Sequence, residues 1–563
     1  MFSFLSSQNK DSADPLVSAR ATSAWLKQLP ALDVIGRQQQ VMRAFDGMRQ
    51  SRRPVDPARV QAVEYLDSAL GADRRQLIKQ YVENYDSAEK LAERIWQAVY
   101  DLTQGFMYAY QTALEEAVAQ GANPRWKPTI PLLFARLLHY YSTDAKLRVF
   151  RFERWIPGKW MELHRTYLRS TELGVDRTPA MLGSAGPNAT AWTAEQEYLN
   201  VLLIHQLNTG NLSPAQLDWA CSQLRAWSRK LTLDAVPHSP EGFFVDLAGK
   251  TGLVRRTGND AGSMLRYLDT TPLAESLERA INALRSSEAT DSGPAAPINQ
   301  QRIMILEKVR PAVAPNVNTD LRRDPRVACR VSAKVRIGLG RISRELMAKE
   351  LSDPALDAAG EQIEVYAVAG SPRVRRHVPD EHDSLAASLS SFSDPMWQVK
   401  DRSVAGLRIA ASGGIGQSLA LGALVAVRQS DVSDWVLGVV RRLNKVSSED
   451  AEAGVSIIAE RVVPVVLHAK RGEGRDDGGF VVNGIDVSTV GARFDGLYLP
   501  PPSRPDKPLA VKTLIVPTSE YSEGRHLMLT TGRSVYTVAL RQLVEQRSEW
   551  SWAAIQIVEK KPR

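Results

Sequence analysis

The sequence predicts a multidomain α+β chain: a mainly helical N-terminal domain, a bundle or an irregular solenoid, followed by two β-rich domains. Three observations predict it. From about residue 17 to 235 apolar residues recur at three or four, the spacing of one helix face. From Val327 the period falls to two, as in a strand with one buried face. Between them, Ser286 to Pro297 mixes Ser, Thr, Gly, Ala, Pro and acids with no apolar period, the composition of a linker. At 563 residues the chain also exceeds what one core supports. The expected boundaries are a disordered leader over 1–15, a helical domain over 16–285 and a linker over 286–300. A first β domain then spans 301–460 and a second 461–563.

The clearest helix is 88–119, where Leu91, Ile95, Val99, Leu102, Phe106, Tyr110 and Leu114 fall on one face. Asp56 before Pro57 is an N-cap followed by proline at the first helical position, and Ser213-Pro214 repeats the device for a helix to about Leu231. Eight of the twelve tryptophans precede residue 230, mostly in helical context, and read as packing. No period near 34 residues holds, so no regular helical repeat is predicted, and a region of this kind most often binds protein. Gly242–Leu247 with Leu253-Val254 predicts a hairpin. Its Gly249-Lys-Thr251 is not a phosphate loop, because Phe244 stands where that motif needs its first glycine. Thr271-Pro272 opens a helix to about Arg285.

A net charge of +8 and a pI near 9.3 favour anionic partners. No Lys/Arg block is long enough for a nucleic-acid arm; the densest basic cluster is Arg373–His377. No apolar run approaches eighteen residues, so no membrane span is predicted, and the first residues do not read as a signal peptide. Two cysteines far apart, Cys221 and Cys329, fit a reducing, cytoplasmic compartment. The eight histidines are scattered singly, without metal-ligand spacing, and no nucleophile elbow surrounds Ser403. Gly413–Gly416 reads as a turn, since Leu419 occupies the third glycine's place of a nucleotide loop. No catalytic or metal-ligating residue is therefore assigned.

Two short stretches carry the chemistry. Leu321-Arg-Arg-Asp-Pro-Arg326 crowds three arginines just before the strand that begins at Val327. Asp401-Arg-Ser-Val-Ala-Gly-Leu-Arg408 reads Asp-x-Ser-x-x-Gly and returns at once to apolar residues. Guanidinium groups fork onto phosphate oxygens, pair with the O6/N7 edge of guanine, or stack on a base. The Asp401 carboxylate suits guanine's N1–H and N2–H donors, Ser403 adds a hydroxyl, and Gly406 permits a turn or a close approach. A ligand with guanine faces and phosphates uses all of these groups.

This pairing resembles the PilZ family of cyclic-di-GMP receptors, whose signature is Arg-x-x-x-Arg followed by (Asp/Asn)-x-Ser-x-x-Gly. Trp435–Arg441 and Gly454–Ile458 resemble that family's later strands, and the resemblance covers about 320–460. Arg326 and Asp401 are 75 positions apart, longer than the family's usual interval, which implies an insertion over about 340–395. The resemblance implies a PilZ-like antiparallel β-barrel with cyclic-di-GMP as ligand. It also implies that Arg322 and Arg326 clamp phosphate and guanine, Asp401 and Ser403 read a guanine edge, Gly406 shapes the turn, and Arg323 and Arg441 assist. With no cyclase or phosphodiesterase signature, the chain is expected to be a receptor and not an enzyme. Its output is expected to pass to a protein partner through the helical domain. A second barrel without either motif is expected over 461–563, packed on the first. Two rival readings stay open: a scaffold with a degenerate barrel whose arginines pair with acids such as Asp324, and RNA binding through Arg373–His377.

Overall fold

The computed structural model describes residues 14–30, 33–51, 55–120, 123–181, 191–258, 260, 262–290, 296–316 and 325–352. It further describes 397–412, 419–432, 434–445, 450–469, 493–501, 503, 509–530 and 534–562. The chain divides into two units, Met1–Asn318 and Thr319–Arg563.

The first unit begins with helices α1 (Ala19–Leu26), α2 (Val34–Gln50), α3 (Pro57–Ala69), α4 (Gly71–Asn84) and α5 (Glu89–Ala119). Helices α6 (Ile130–Phe150) and α7 (Pro157–Glu172) lead to a small ribbon of β1 (Ala180–Met181) and β2 (Ala191–Trp192). After α8 (Ala194–Gln206) and α9 (Pro214–Trp227) comes a sheet of β3 (Phe243–Asp246), β4 (Val254–Arg255) and β5 (Leu265–Leu268), ordered β4-β3-β5. Helices α10 (Thr271–Thr290) and α11 (Ala296–Val313) complete the unit.

Local signals start these helices as expected. The Asp56 carboxylate accepts from Arg59 N at 2.9 Å, and Ser213 with Gln216 forms a capping box on α9. The consecutive Leu133, Phe134 and Ala135 of α6 are all fully buried, so this helix is covered on every side. Helices α5, α7, α8 and α9 pack against it, which makes the region a bundle rather than a solenoid. Buried charge is paired. Asp67 accepts from Arg136 at 2.9 Å, Tyr110 Oη at 2.9 Å and Tyr140 Oη at 2.6 Å, with Arg74 at 2.7 Å. Burial raises its pKa, but Arg74 and Arg136 outweigh that and hold it at about 2.

Several expectations are corrected. Leu91 is 42% exposed, because it falls in the first turn of α5. Helix α9 stops at Trp227 and a short 3-10 turn, Ser228–Lys230, takes the chain on. The predicted hairpin gains a third strand, β5. The linker expected over 286–300 is largely helix: α10 runs to Thr290 and α11 starts at Ala296, with 291–295 outside the described residues. Ser, Thr and Ala are neutral enough in helices that packing of α10 on α11 decides the matter, and Pro297 sits in a first turn, where proline is tolerated. The first β domain accordingly begins past residue 318, not at 301. The expected leader over 1–15 lies almost wholly outside the described residues, and Asp14 and Leu16 belong to the folded unit.

The second unit is two closed antiparallel barrels. The first contains β6 (Val327–Ile337), β7 (Trp397–Ser403), β8 (Gly406–Ala411), β9 (Leu424–Gln429), β10 (Val436–Lys445) and β11 (Ala451–Ala459). Its strand order is β10-β11-β8-β7-β6-β9, and β9 closes on β10. The second contains β12 (Val463–Ala469), β13 (Arg493–Leu499), β14 (Thr513–Pro517), β15 (His526–Thr530), β16 (Ser534–Gln546) and β17 (Trp550–Pro562). Its order is β12-β13-β14-β17-β16-β15, closed by β12 on β15.

The barrels share a core. Helix α12 (Leu339–Ser352) supplies Leu339, Ile342 and Leu346 to one apolar cluster with Leu437 and Val439 of the first barrel and Leu497, Trp550 and Trp552 of the second. The helix expected near 342–352 is thus part of the seam between barrels and not of a separable insertion. The rest of that expected insertion, including Ile363–Val368 and Arg373–His377, lies outside the described residues. The alternation of β6 buries less than its pattern promises: Val327 is 62% exposed and Cys329 only half-buried. A register shift between Ala328 and Val331 breaks the alternation there.

Candidate functional site

The Asp-x-Ser-x-x-Gly stretch folds as a tight hairpin. Asp401 and Ser403 end β7, Val404 and Ala405 form the two-residue turn, and Gly406 opens β8. Ser403 pairs with Gly406, and its Oγ donates to the Gly406 carbonyl at 3.5 Å. The glycine does not serve a left-handed turn. A Cβ on Gly406 would stand 2.8 Å from the Val455 carbonyl oxygen of β11, so it is the close approach of strands that excludes a side chain.

Strand pairing sets further residues beside the motif on the outer face of the barrel. One row runs across Ala328 (β6), Asp401 (β7), Arg408 (β8), Gly454 (β11) and Arg442 (β10). The next row holds Ser403, Gly406 and Ser456. Gly454 and Gly406 keep the surface low between these side chains, and the Arg442 stem lies over Gly454, 3.3 Å from where its Cβ would be.

Asp401 is the electrostatic centre. Arg326 Nη1 donates to its Oδ1, and Arg408 Nε stands 2.8 Å from its Oδ2. The carboxylate is mostly covered while both guanidinium groups remain more than a third exposed. Two arginines therefore present free donor edges and π faces at one carboxylate, beside a floor of small residues. Arg408 also comes within 4.0 Å of Glu452 on β11.

Of the sequence-assigned residues, the fold brings Arg326, Asp401, Ser403 and Gly406 together. Arg322 and Arg323 lie outside the described residues. Arg441 is placed elsewhere: it sits at a register shift of β10 and forks onto Glu545 of the second barrel at 2.5 and 2.6 Å. Arg547 joins the same carboxylate, and although burial raises the Glu545 pKa, these two arginines bring it below the ordinary value. Sequence reasoning passed over Arg408, Arg442, Gly454 and Ser456. Arg408 was within reach, since a residue two beyond Gly406 shares its face in a strand. The other three depend on the register of β10 and β11, which no local pattern encodes.

The remaining candidates stay apart from this face. Gly249-Lys-Thr251 forms the turn between β3 and β4, and Gly413–Gly416 lies outside the described residues. Among the described residues no group of three His, Cys, Asp or Glu side chains is placed to hold a metal, and no helix is long and apolar enough to cross a membrane.

No curated protein matches the chain in sequence. Two family models do. The N-terminal domain of the cyclic-di-GMP receptor FimW matches residues 20–239, which takes in α1 to α9. The middle PilZ domain of the same receptor matches 352–464, which includes the hairpin and β7 to β11 but not Arg322 or Arg326. Both halves of the match point to one receptor type, and the residues of the second include the Asp401–Gly406 hairpin described above. The chain belongs to the family of cyclic-di-GMP receptors of the FimW type, which carry a PilZ domain.

Proposed function

We propose that this chain binds cyclic-di-GMP on the outer face of its first barrel and passes the signal to a protein partner through its helical unit. The observation that supports the binding site is the convergence of Arg326 on the Asp401–Gly406 hairpin across 75 positions of sequence. In this reading the Asp401 carboxylate accepts from a guanine Watson–Crick edge and Ser403 adds a hydrogen bond. Arg322 and Arg326 clamp phosphate and guanine, and Arg408 and Arg323 assist. Gly406 shapes the turn and lets β8 lie close against β11 beneath the site. Arg441, already forked onto Glu545, assists only through the seam it holds. With no cyclase or phosphodiesterase signature in the sequence, the proposed role is reception without turnover.

The partner reading rests on the division of labour. The ligand groups all sit in the second unit, while the first is a separate helical bundle with apolar side chains such as Ile156, 69% exposed, at its surface. Calorimetric titration of the full chain with cyclic-di-GMP, GTP and a short RNA tests the binding site. Saturable binding of cyclic-di-GMP alone is expected. Equal affinity for GTP or tighter binding of RNA overturns the reading.

A further inference from the structure

Beside the hairpin the barrel wall is opened by two coincident irregularities. Between β6 and β7 the partners step from Ala328–Asp401 to Val331–Val399, which gives β6 one residue more than β7. Between β7 and β8 they step from Val399–Ile409 to Asp401–Arg408, which gives β7 one residue more than β8. Lys400 lies in both. A bulge leaves a residue unpaired and re-aims its side chain, and bulges gather at functional sites. The result is an open cleft of about 530 Å³, lined by Ala328, Cys329, Arg330, Lys400, Arg408 and Glu452.

Its charge is lopsided. Three cations and one carboxylate line it; Arg408 is paired with Asp401 at 2.8 Å, while the side chains of Arg330 and Lys400 have neither a hydrogen bond nor an ion pair among the described residues. Like charges lining one cleft repel and attract a counter-anion. Arg408 belongs both to this cleft and to the Asp401 cluster, so the two are continuous. Lys400 stands three residues along β7 from Ser403, about 10 Å at strand rise.

We infer that this cleft is a second anion subsite, taking a phosphodiester group while the hairpin reads a guanine edge. The inference rests on the reading of the hairpin face as the dinucleotide site. The phosphate belongs either to the same ligand molecule or to a second one. Arg330 and Lys400 supply its donors, and Arg408 is shared between the two subsites.

The two cysteines make the test site-specific, because Cys329 lines the cleft and Cys221 is fully buried. In the full chain, Cys329 alkylation by anionic iodoacetate and neutral iodoacetamide is compared in wild type and in Arg330→Gln/Lys400→Gln. Without ligand, the wild type should favour iodoacetate several-fold relative to the double variant, and cyclic-di-GMP should protect Cys329. In titrations the double variant should lose about tenfold or more in affinity at unchanged stoichiometry if one molecule spans both subsites. It should drop from two ligands per chain to one if a second molecule fills the cleft. Either result supports the subsite. An equal reagent preference in the two proteins overturns it, as does unchanged affinity and stoichiometry. Weakened cyclic-di-GMP binding in Asp401→Ala, with the reagent preference retained, supports a cleft distinct from the hairpin site; loss of the preference in that variant overturns it. A wild type that prefers iodoacetate yet binds no cyclic-di-GMP overturns the dinucleotide assignment of both.

Discussion

Arg441 of the first barrel forks onto Glu545 of the second, at 2.5 and 2.6 Å, from the point where β10 carries an extra residue. Its chain neighbour Arg442 faces the other way, over Gly454 on the candidate ligand face. One irregularity thus ties the seam between barrels to the floor of the site. Glu549 adds a second tie, accepting from Leu339 N at 3.0 Å.

The seam should make residues 319–563 unfold as a single transition. Glu545→Ala strands Arg441 and Arg547 and should cost about 1–2 kcal/mol, discounted for their partial exposure. Denaturant titration followed by Trp550 and Trp552 fluorescence checks this. A fragment ending at residue 460 should aggregate, because it exposes the apolar residues of the shared core.

Arg326→Ala and Arg322→Ala should each weaken cyclic-di-GMP binding roughly tenfold or more, the worth of one charge-assisted contact. Asp401→Ala should do more, since it removes both the guanine acceptor and the anchor of Arg326 and Arg408. Calorimetry with circular dichroism as a folding control decides; wild-type affinity in all three places the site elsewhere.

Gly406→Ala should destabilise by about 1–3 kcal/mol, because its methyl would meet a backbone oxygen that cannot swing aside. Gly158→Ala, whose Cβ meets nothing within 4 Å, is the control and should leave the melting temperature unchanged or slightly raised.

Acid should unfold the helical unit in two stages. His205, wedged between Trp155 and Trp160, has its pKa lowered to about 3 by burial and by Arg148, so the unfolded chain binds the proton more tightly. Its contribution is fully present above the unfolded value of about 6.5 and is lost as pH falls toward 3. Asp67 and Glu197, both held at about 2, add a second loss below about pH 4. His205→Phe should flatten the slope of unfolding free energy between pH 6.5 and 4 and leave the lower stage intact.

Ligand should alter protection over residues 314–330. Arg255 holds the end of α11 through the Pro311 carbonyl at 2.6 Å, Asn316 donates to Glu241 at 2.6 Å, and Arg326 is anchored on Asp401. A ligand shifts a conformational equilibrium only by its differential affinity for two arrangements. Hydrogen exchange over 314–330 and solution scattering, with and without cyclic-di-GMP, should both change; identical results reduce the barrel to a static binding module.

What the sequence determined by itself was whatever a short window can hold. The switch of period from 3.6 to two separated bundle from barrels, Asp56 and Ser213 marked helix starts, and Asp401–Gly406 marked the hairpin with its chemistry. These are contacts between near neighbours along the chain, so their spacing is written in it. Tertiary structure decided the rest. Residues 286–290 and 296–300 had no pattern of their own and became helix because α10 and α11 pack against each other. Gly454, Ser456 and Arg442 joined the site through the register of strands far apart in sequence, and a one-residue slip would have turned each of them to the other face. The extra residues at Lys400 and Arg441 are such slips. One opens a cleft and the other joins two barrels, and neither leaves a mark in local composition because a bulge is defined only against its partner strand.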